Sequence, residues 1–194
     1  NILNEAMQDI DLIFHCIPCQ STPSFLQKNG NIIPKNIPFI LTSKGLYSET
    51  GQLLSDILPL YLDKDNIAYL SGPSFAKEMI DGTPVSVVVA SEKISLCKRI
   101  QKMISTDIFR IYITDDIIGL EVGGALKNPI AIGVGIAMGL GYGKSTIAAL
   151  ITIGCNEMAR ISKKMGGKSE TLAGLSGIGD LMLTCFSPLS RNNR

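Results

Sequence analysis

The segment 121–129 (EVGGALKNP) carries Lys127 and Asn128 inside a run otherwise made of apolar and small residues. A lysine in such surroundings has its charged form disfavoured, which draws its pKa toward working pH and suits it to general acid/base transfer. Two plainer readings compete. One is an ion pair with Glu121; the other is a stem lying along apolar surface with its ammonium in water. Glu121 and Lys127 stand six residues apart, whereas helical partners stand three or four apart, so proton transfer is the preferred reading. Further on, Gly177-Ile178-Gly179-Asp180-Leu181 sets one carboxylate among apolar neighbours after a flexible turn. Asp180 can pair with Lys127 or orient a hydroxyl; the competing reading is an N-cap for a helix that begins at Leu181. Ser190, Arg191 and Asn192 offer hydroxyl, guanidinium and amide donors of the kind that grip a phosphate. A polar tail would look much the same.

Two further segments sit where strands should end. Ser43-Lys44-Gly45 follows one apolar run directly, and Ser71-Gly72-Pro73-Ser74 follows another. Ligands of parallel sheets bind at the carboxyl ends of strands, so Lys44 can meet a phosphate or a substrate oxygen there. A solvated lysine in a turn explains it equally well. Free N–H groups after Ser71 can hold an anion or a cofactor amide, or can simply start a helix. Cys16 and Cys19 have the C-x-x-C spacing of a redox site. Cys16 continues the strand alternation and is expected to be buried, which argues against that use. No other Cys or His spacing suits a metal, and none is expected.

The elements that must position these residues follow from periodicity. Apolar runs at 12–17, 38–42, 67–70, 85–90 and 109–113 predict five strands, separated by four helical connections. That alternation predicts a parallel, doubly wound α/β sheet. Pro23 fits the first turn of a helix closed by Gly30, and Pro73 is expected at the first position of another. Leucines and isoleucine at helical spacing predict a helix within 51–62, and Cys97, Ile100 and Ile104 share one face of a further helix. From Asp115 onward strand signals disappear, and stretches rich in Ala, Gly, Ile and Leu predict an all-helical second domain. The expected division is 1–115 and 116–194.

Composition excludes several classes. Of 194 residues, 45% are hydrophobic and 18% charged, enough apolar material for a packed core and too little charge for disorder. A formal net charge of +1 gives no field to attract nucleic acid or an anionic membrane. Five cysteines, an odd number, suit a reducing compartment better than a disulfide scaffold. The uncharged stretch 128–143 is 16 residues, short of the roughly 20 a membrane span needs. The chain opens on Asn1 without Met and stops at Arg194, which reads as a piece of a longer protein.

Taken in order, Ser43-Lys44-Gly45, 72–78 (GPSFAKE), 82–91 (GTPVSVVVAS), 119–143 (GLEVGGALKNPIAIGVGIAMGLGYG), 174–185 (GLSGIGDLMLTC) and 190–194 (SRNNR) resemble NAD(P)-dependent glycerol-3-phosphate dehydrogenase of the bacterial and plastid type. The resemblance implies a Rossmann-type sheet followed by a helical substrate domain. It implies hydride exchange between NAD or NADP and the C2 of sn-glycerol 3-phosphate or dihydroxyacetone phosphate, feeding glycerophospholipid synthesis. Lys127 would then be the general acid/base, with Asn128 orienting the reacting oxygen and Asp180 and Thr184 flanking the lysine. Lys44 would touch both substrate and cofactor, Gly72 and Ser74 the substrate, and Ala76 the cofactor. Ser190, Arg191 and Asn192 would grip the phosphate end, Arg191 also lying near the cofactor. A homodimer in the cytoplasm, or in a plastid-type organelle given an upstream transit segment, is the implied setting. The family's first strand and G-x-G-x-x-G-type loop are not found before Leu12, so an incomplete dinucleotide site is expected. The rivals are a dehydrogenase of 3-hydroxy acids with the same plan and an inactive remnant.

Overall fold

The computed structural model of the chain describes residues 2–187 and Ser190. A short helix α1 (Ile2–Ala6) precedes five strands that form one sheet in sequence order. They are β1 (Ile13–His15), β2 (Phe39–Leu41), β3 (Ile67–Ser71), β4 (Val85–Ala90) and β5 (Phe109–Thr114). The pairs β1/β2, β2/β3 and β4/β5 are parallel, as the alternation predicts. The pair β3/β4 is antiparallel and corrects the expectation of an all-parallel sheet. The helix between them, α4 (Ala76–Ile80), has five residues and rises only about 7.5 Å, against about 17 Å for the strand it would have to retrace. The chain therefore re-enters the sheet at the edge it has just left. Gly72 makes that reversal possible: its φ is 140°, and a Cβ there would sit 3.0 Å from the Val87 Cα of β4. Pro73 belongs to this turn rather than to the helix, which begins only at Ala76.

Alternation along the strands divides the core. Phe39, Leu41, Ile67, Tyr69 and Val88 face Leu26 of α2 (Thr22–Asn29) and Leu54 of α3 (Leu54–Ile57). Ile40, Ala68, Val87, Val89 and Ile111 face Leu96, Cys97 and Ile100 of α5 (Ile94–Ile104). The sheet is thus covered on both sides. Helix α2 has Pro23 in its first turn and closes at Gly30, as expected. The helix expected within 51–62 is shorter, because Pro59 has no N–H to give; α3 gives way to a 3₁₀ turn at Leu58–Leu60.

After β5 the chain is helical: α6 (Ile117–Gly139), α7 (Lys144–Lys164), α8 (Ser169–Leu172), a π turn at Leu175–Gly179 and α9 (Asp180–Phe186). The Asp116 carboxylate starts α6 by accepting the N–H of Gly119 at 2.9 Å, and it also accepts the N–H of Lys168 at 2.9 Å. Helix α6 joins the two parts of the fold. Its Leu120 enters the sheet core, while Ala131, Val134 and Ala137 pack with Ile147, Ile151 and Met158 of α7 and Leu181 of α9. The helix runs through Pro129, so its 23 residues are long and apolar enough to cross a membrane. Burial, not length, argues against that: 44% of its most apolar stretch is enclosed by the fold.

Candidate active site

Lys127 projects from α6 with 8% of its surface exposed, and Asp180, the first residue of α9, is 2% exposed. The Lys127 ammonium donates to Asp180 Oδ1, and the Lys44 ammonium, from the loop after β2, donates to Oδ2 of the same carboxylate. Asp180 is therefore no N-cap; its side chain is spent on two lysines. One carboxylate cannot balance two ammoniums in a poorly solvated site. Burial and the neighbouring Lys44 charge push the Lys127 pKa down to about 8, against the opposing pull of Asp180. The group can then gain or lose a proton near working pH, which is what acid/base catalysis requires.

Two adjacent glycines on α6 let this cluster assemble. A Cβ on Gly123 would lie 2.4 Å from the Ser176 carbonyl, so only glycine allows the π turn that aims Asp180 to touch the helix backbone. A Cβ on Gly124 would lie 3.2 Å from Lys44 Cγ, so the lysine stem crosses α6 at that point. From there the Lys44 ammonium reaches the Asp180 carboxylate beside Lys127.

The other expected site residues fall around this centre. The Thr184 hydroxyl donates to the Asp180 carbonyl at 2.6 Å, one turn into α9. Gly72 is buried in the turn after β3, where the Ser74 hydroxyl donates to the Gly72 carbonyl at 3.3 Å. Pro73 Cγ lies 3.7 Å from where a Gly179 Cβ would be, which brings that turn to the start of α9. Ala76 is exposed at the start of α4, and Asn128 is half-buried beside Lys127. Ser190 is buried and its N–H donates to the Ser187 carbonyl at 3.0 Å. Arg191 and Asn192 lie outside the described residues.

Sequence reading missed the surroundings of Lys44. A narrow cleft at the carboxyl ends of β2 and β3 is lined by Ser43, Lys44, Tyr69, Ser71, Glu121 and Gly124. Glu121 pairs with no lysine; its carboxylate accepts the Ser55 N–H at 3.3 Å, and burial pushes its pKa up to about 7 despite that bond. The available signal was that Glu121 is itself a charge in an apolar run and needs a polar partner; six residues set it about 120° around the helix from Lys127. The C-x-x-C segment reverses its expected burial: Cys16 is exposed, while Cys19 is buried with its thiol donating to the Gly45 carbonyl at 3.4 Å. Among the described residues no group of three or more His, Cys, Asp or Glu could hold a metal ion.

A largely parallel sheet whose carboxyl edge carries Lys44 beside Lys127 and Asp180 of the adjoining helices is an α/β fold with its candidate ligand site at that edge. Family models match both parts of the chain: the NAD-dependent glycerol-3-phosphate dehydrogenase N-terminus matches residues 1–97, and the C-terminus of the same family matches 116–194. The chain belongs to the NAD-dependent glycerol-3-phosphate dehydrogenase family. It is 45% identical over 182 residues to a glycerol-3-phosphate dehydrogenase [NAD(P)+] of Brucella ovis, covering 94% of this chain and 56% of that protein. A Leptospira biflexa protein of the same name is 44% identical over 193 residues, covering 98% of this chain and 58% of its own length. The crystal structure of the Coxiella burnetii enzyme superposes with a TM-score of 0.91 at 35% identity, over 99% of this chain and 59% of that one. The chain thus spans a little over half the length of the curated relatives it matches.

Proposed function

We propose that the chain carries the proton-transfer machinery of an oxidoreductase that interconverts sn-glycerol 3-phosphate and dihydroxyacetone phosphate with NAD or NADP. The observation that carries this reading is the Lys127 amine, held with Lys44 on the single buried carboxylate of Asp180 and drawn to a pKa of about 8. In oxidation Lys127 takes the proton of the C2 hydroxyl; in reduction it returns that proton to the new alkoxide oxygen. Asp180 fixes both ammonium heads, and Asn128 orients the reacting oxygen. Gly72, Ser74, Thr184, Ser190, Arg191 and Asn192 are assigned to the substrate, and Lys44, Ala76 and Arg191 to the cofactor, Lys44 serving both.

The donor set fits the nicotinamide end of a cofactor: the Lys44 side chain keeps 26% of its surface exposed at the sheet's carboxyl edge, beside the turn after β3. Among the described residues no glycine-rich turn follows a strand in the manner that cradles a pyrophosphate, so none is assigned that task. Lys44 and Ala76 would hold the cofactor at that edge, and it would supply hydride exchange at C2. The division near residue 115, a cytoplasmic setting and supply of glycerophospholipid synthesis belong to this proposal. So does a homodimer, supported by the exposed stripe Ile132, Ile136 and Leu140 at four-residue intervals; sedimentation of an Ile136→Lys variant should show a lower mass at equal concentration. The decisive assay follows nicotinamide absorbance with dihydroxyacetone phosphate. Lys127→Ala should reduce turnover roughly 10²–10⁴-fold, and equal turnover would sink the assignment.

A further inference from the structure

The loop that carries Lys44 is held from outside by groups the proposed reaction does not use. Thr42 still ties the ends of β1 and β2 together, its N–H and its hydroxyl each donating to the His15 carbonyl at 3.1 Å. From Ser43 to Leu46, among the described residues, the backbone makes no hydrogen bond to other backbone. Two side chains stand in for that ladder, and both come from the 3₁₀ turn Cys19–Ser21 that follows β1. The Cys19 thiol donates to the Gly45 carbonyl at 3.4 Å, a weak bond because S–H is a weak donor. Gln20 does more. Its amide nitrogen donates to the Leu46 carbonyl at 2.7 Å, and its amide oxygen accepts the Ser48 N–H at 2.9 Å and the Ser48 hydroxyl at 2.7 Å. A planar amide engaged at both ends fixes the loop it faces in position and in direction.

We propose that Gln20 is a positioning residue for Lys44: by clamping residues 46–48 to the turn after β1, it fixes where the lysine stem leaves the loop and so keeps the Lys44 ammonium on Asp180 beside Lys127. The Asp180 carboxylate holds only the far end of a flexible four-carbon stem. The near end is the Lys44 backbone, two residues before the Leu46 carbonyl that Gln20 holds. Gly45 between them has φ 126°, and a glycine lets the chain pivot unless both sides are tied. The stem crosses α6 at Gly124, its Cγ 3.2 Å from where a Cβ would stand. A loop that drifts outward therefore draws the stem off the helix and the ammonium away from Asp180. Lys127 senses the result. The charged and titratable groups that face it are Lys44, Asp180 and, from α9, the Cys185 thiol, which burial pushes up to about 11. With Lys44 withdrawn, Asp180 serves Lys127 alone, and the like charge that opposes protonation of Lys127 is gone. Any effect on turnover rests on the proposed function; the placement of Lys44 does not.

The test is carbon-13 NMR of protein labelled at the lysine side chains, with the Lys127 resonance assigned by its loss in Lys127→Arg. In the unaltered protein the Lys127 signal should step near pH 8. The step should move to higher pH in Lys44→Met and, in the same direction, in Gln20→Leu, which keeps a similar volume and loses every bond of the clamp. In the double variant it should fall where Lys44→Met alone puts it. A step that Gln20→Leu leaves in place overturns the positioning role. One that moves further in the double variant than in Lys44→Met shows Gln20 acting on Lys127 by another route, and overturns it equally. Should Gln20→Leu fold poorly, amide hydrogen exchange of the unaltered protein decides. The N–H of Ser48, an exposed residue, should be protected, and exchange at the rate of a free loop amide would refute the clamp. None of these readouts uses turnover, so an inactive protein that shows the expected shifts would refute the proposed function and leave this inference standing.

Discussion

Lys127 owes its reactivity to a charge imbalance, and the imbalance can be tilted in both directions. Lys44 adds a like charge that lowers the Lys127 pKa, and Asp180 adds an opposite one that raises it. With the amine at about pH 8, oxidation of glycerol 3-phosphate should speed up as pH rises to a plateau above 8, because the neutral amine is the base. Reduction should slow over the same interval, because it needs the ammonium. Removing the like charge with Lys44→Met should move the inflection of the pH–kcat/KM profile upward. Removing the carboxylate with Asp180→Asn should move it downward, together with a large loss of rate, since two buried ammoniums would then lack an anion. Shifts of the same sign in both variants would contradict the arrangement. The pairing of Lys127 with Asp180 was legible in the sequence for a simple reason: each is a charge in an apolar run, and such charges need partners. Glu121 answers the same description, yet the pairing rule that excluded it as a partner also hid it as a member of the site.

At the scale of elements, α6 carries the strongest contrast. Gly123 meets the Ser176 carbonyl where a Cβ would come within 2.4 Å, whereas Gly133 on the same helix has nothing within 4 Å. Gly123→Ala should push the π turn off the helix, costing about 1–3 kcal/mol and displacing Asp180 from Lys127. Gly133→Ala should instead raise stability by about 0.5–1 kcal/mol, since a helix-interior glycine only loses backbone freedom on folding. Urea midpoints of the two variants should fall on opposite sides of the parent's; a shared direction would show that the close approach is not tight. Strand positions were legible because β-branched and aromatic runs have few alternatives in a buried layer. The antiparallel β3/β4 pair was not, because it depends on the length of α4, five residues, and boundaries are what periodicity reads least well. The extent of α6 was not legible either: the expectation was only an all-helical region after residue 115, and α6 runs through Pro129 while packing on α7 and α9.

For the whole molecule, the opposing shifts of two buried groups govern how stability depends on pH. His15 is 3% exposed, set between the rings of Phe25 and Phe39, with Nε2 hydrogen-bonded to the Thr22 hydroxyl at 3.0 Å. Burial lowers its pKa, so the unfolded chain takes up a proton first as pH falls through about 6.5, and stability is lost below that point. Burial raises Glu121 from 4.5 to about 7, so there the folded chain takes up the proton first. Its contribution is fully present below pH 4.5 and is lost as pH rises to about 7. Below pH 6.5 the two slopes oppose each other, and the loss from His15 is offset in part by the gain from Glu121. Glu121→Gln removes one of the slopes. The variant should lose stability on acidification through His15 alone. Relative to the parent it should gain on the order of 1–3 kcal/mol between pH 5 and pH 8, read from urea midpoints at fixed temperature. Parallel curves for parent and variant would mean that Glu121 holds no extra proton in the folded protein and would overturn its raised pKa.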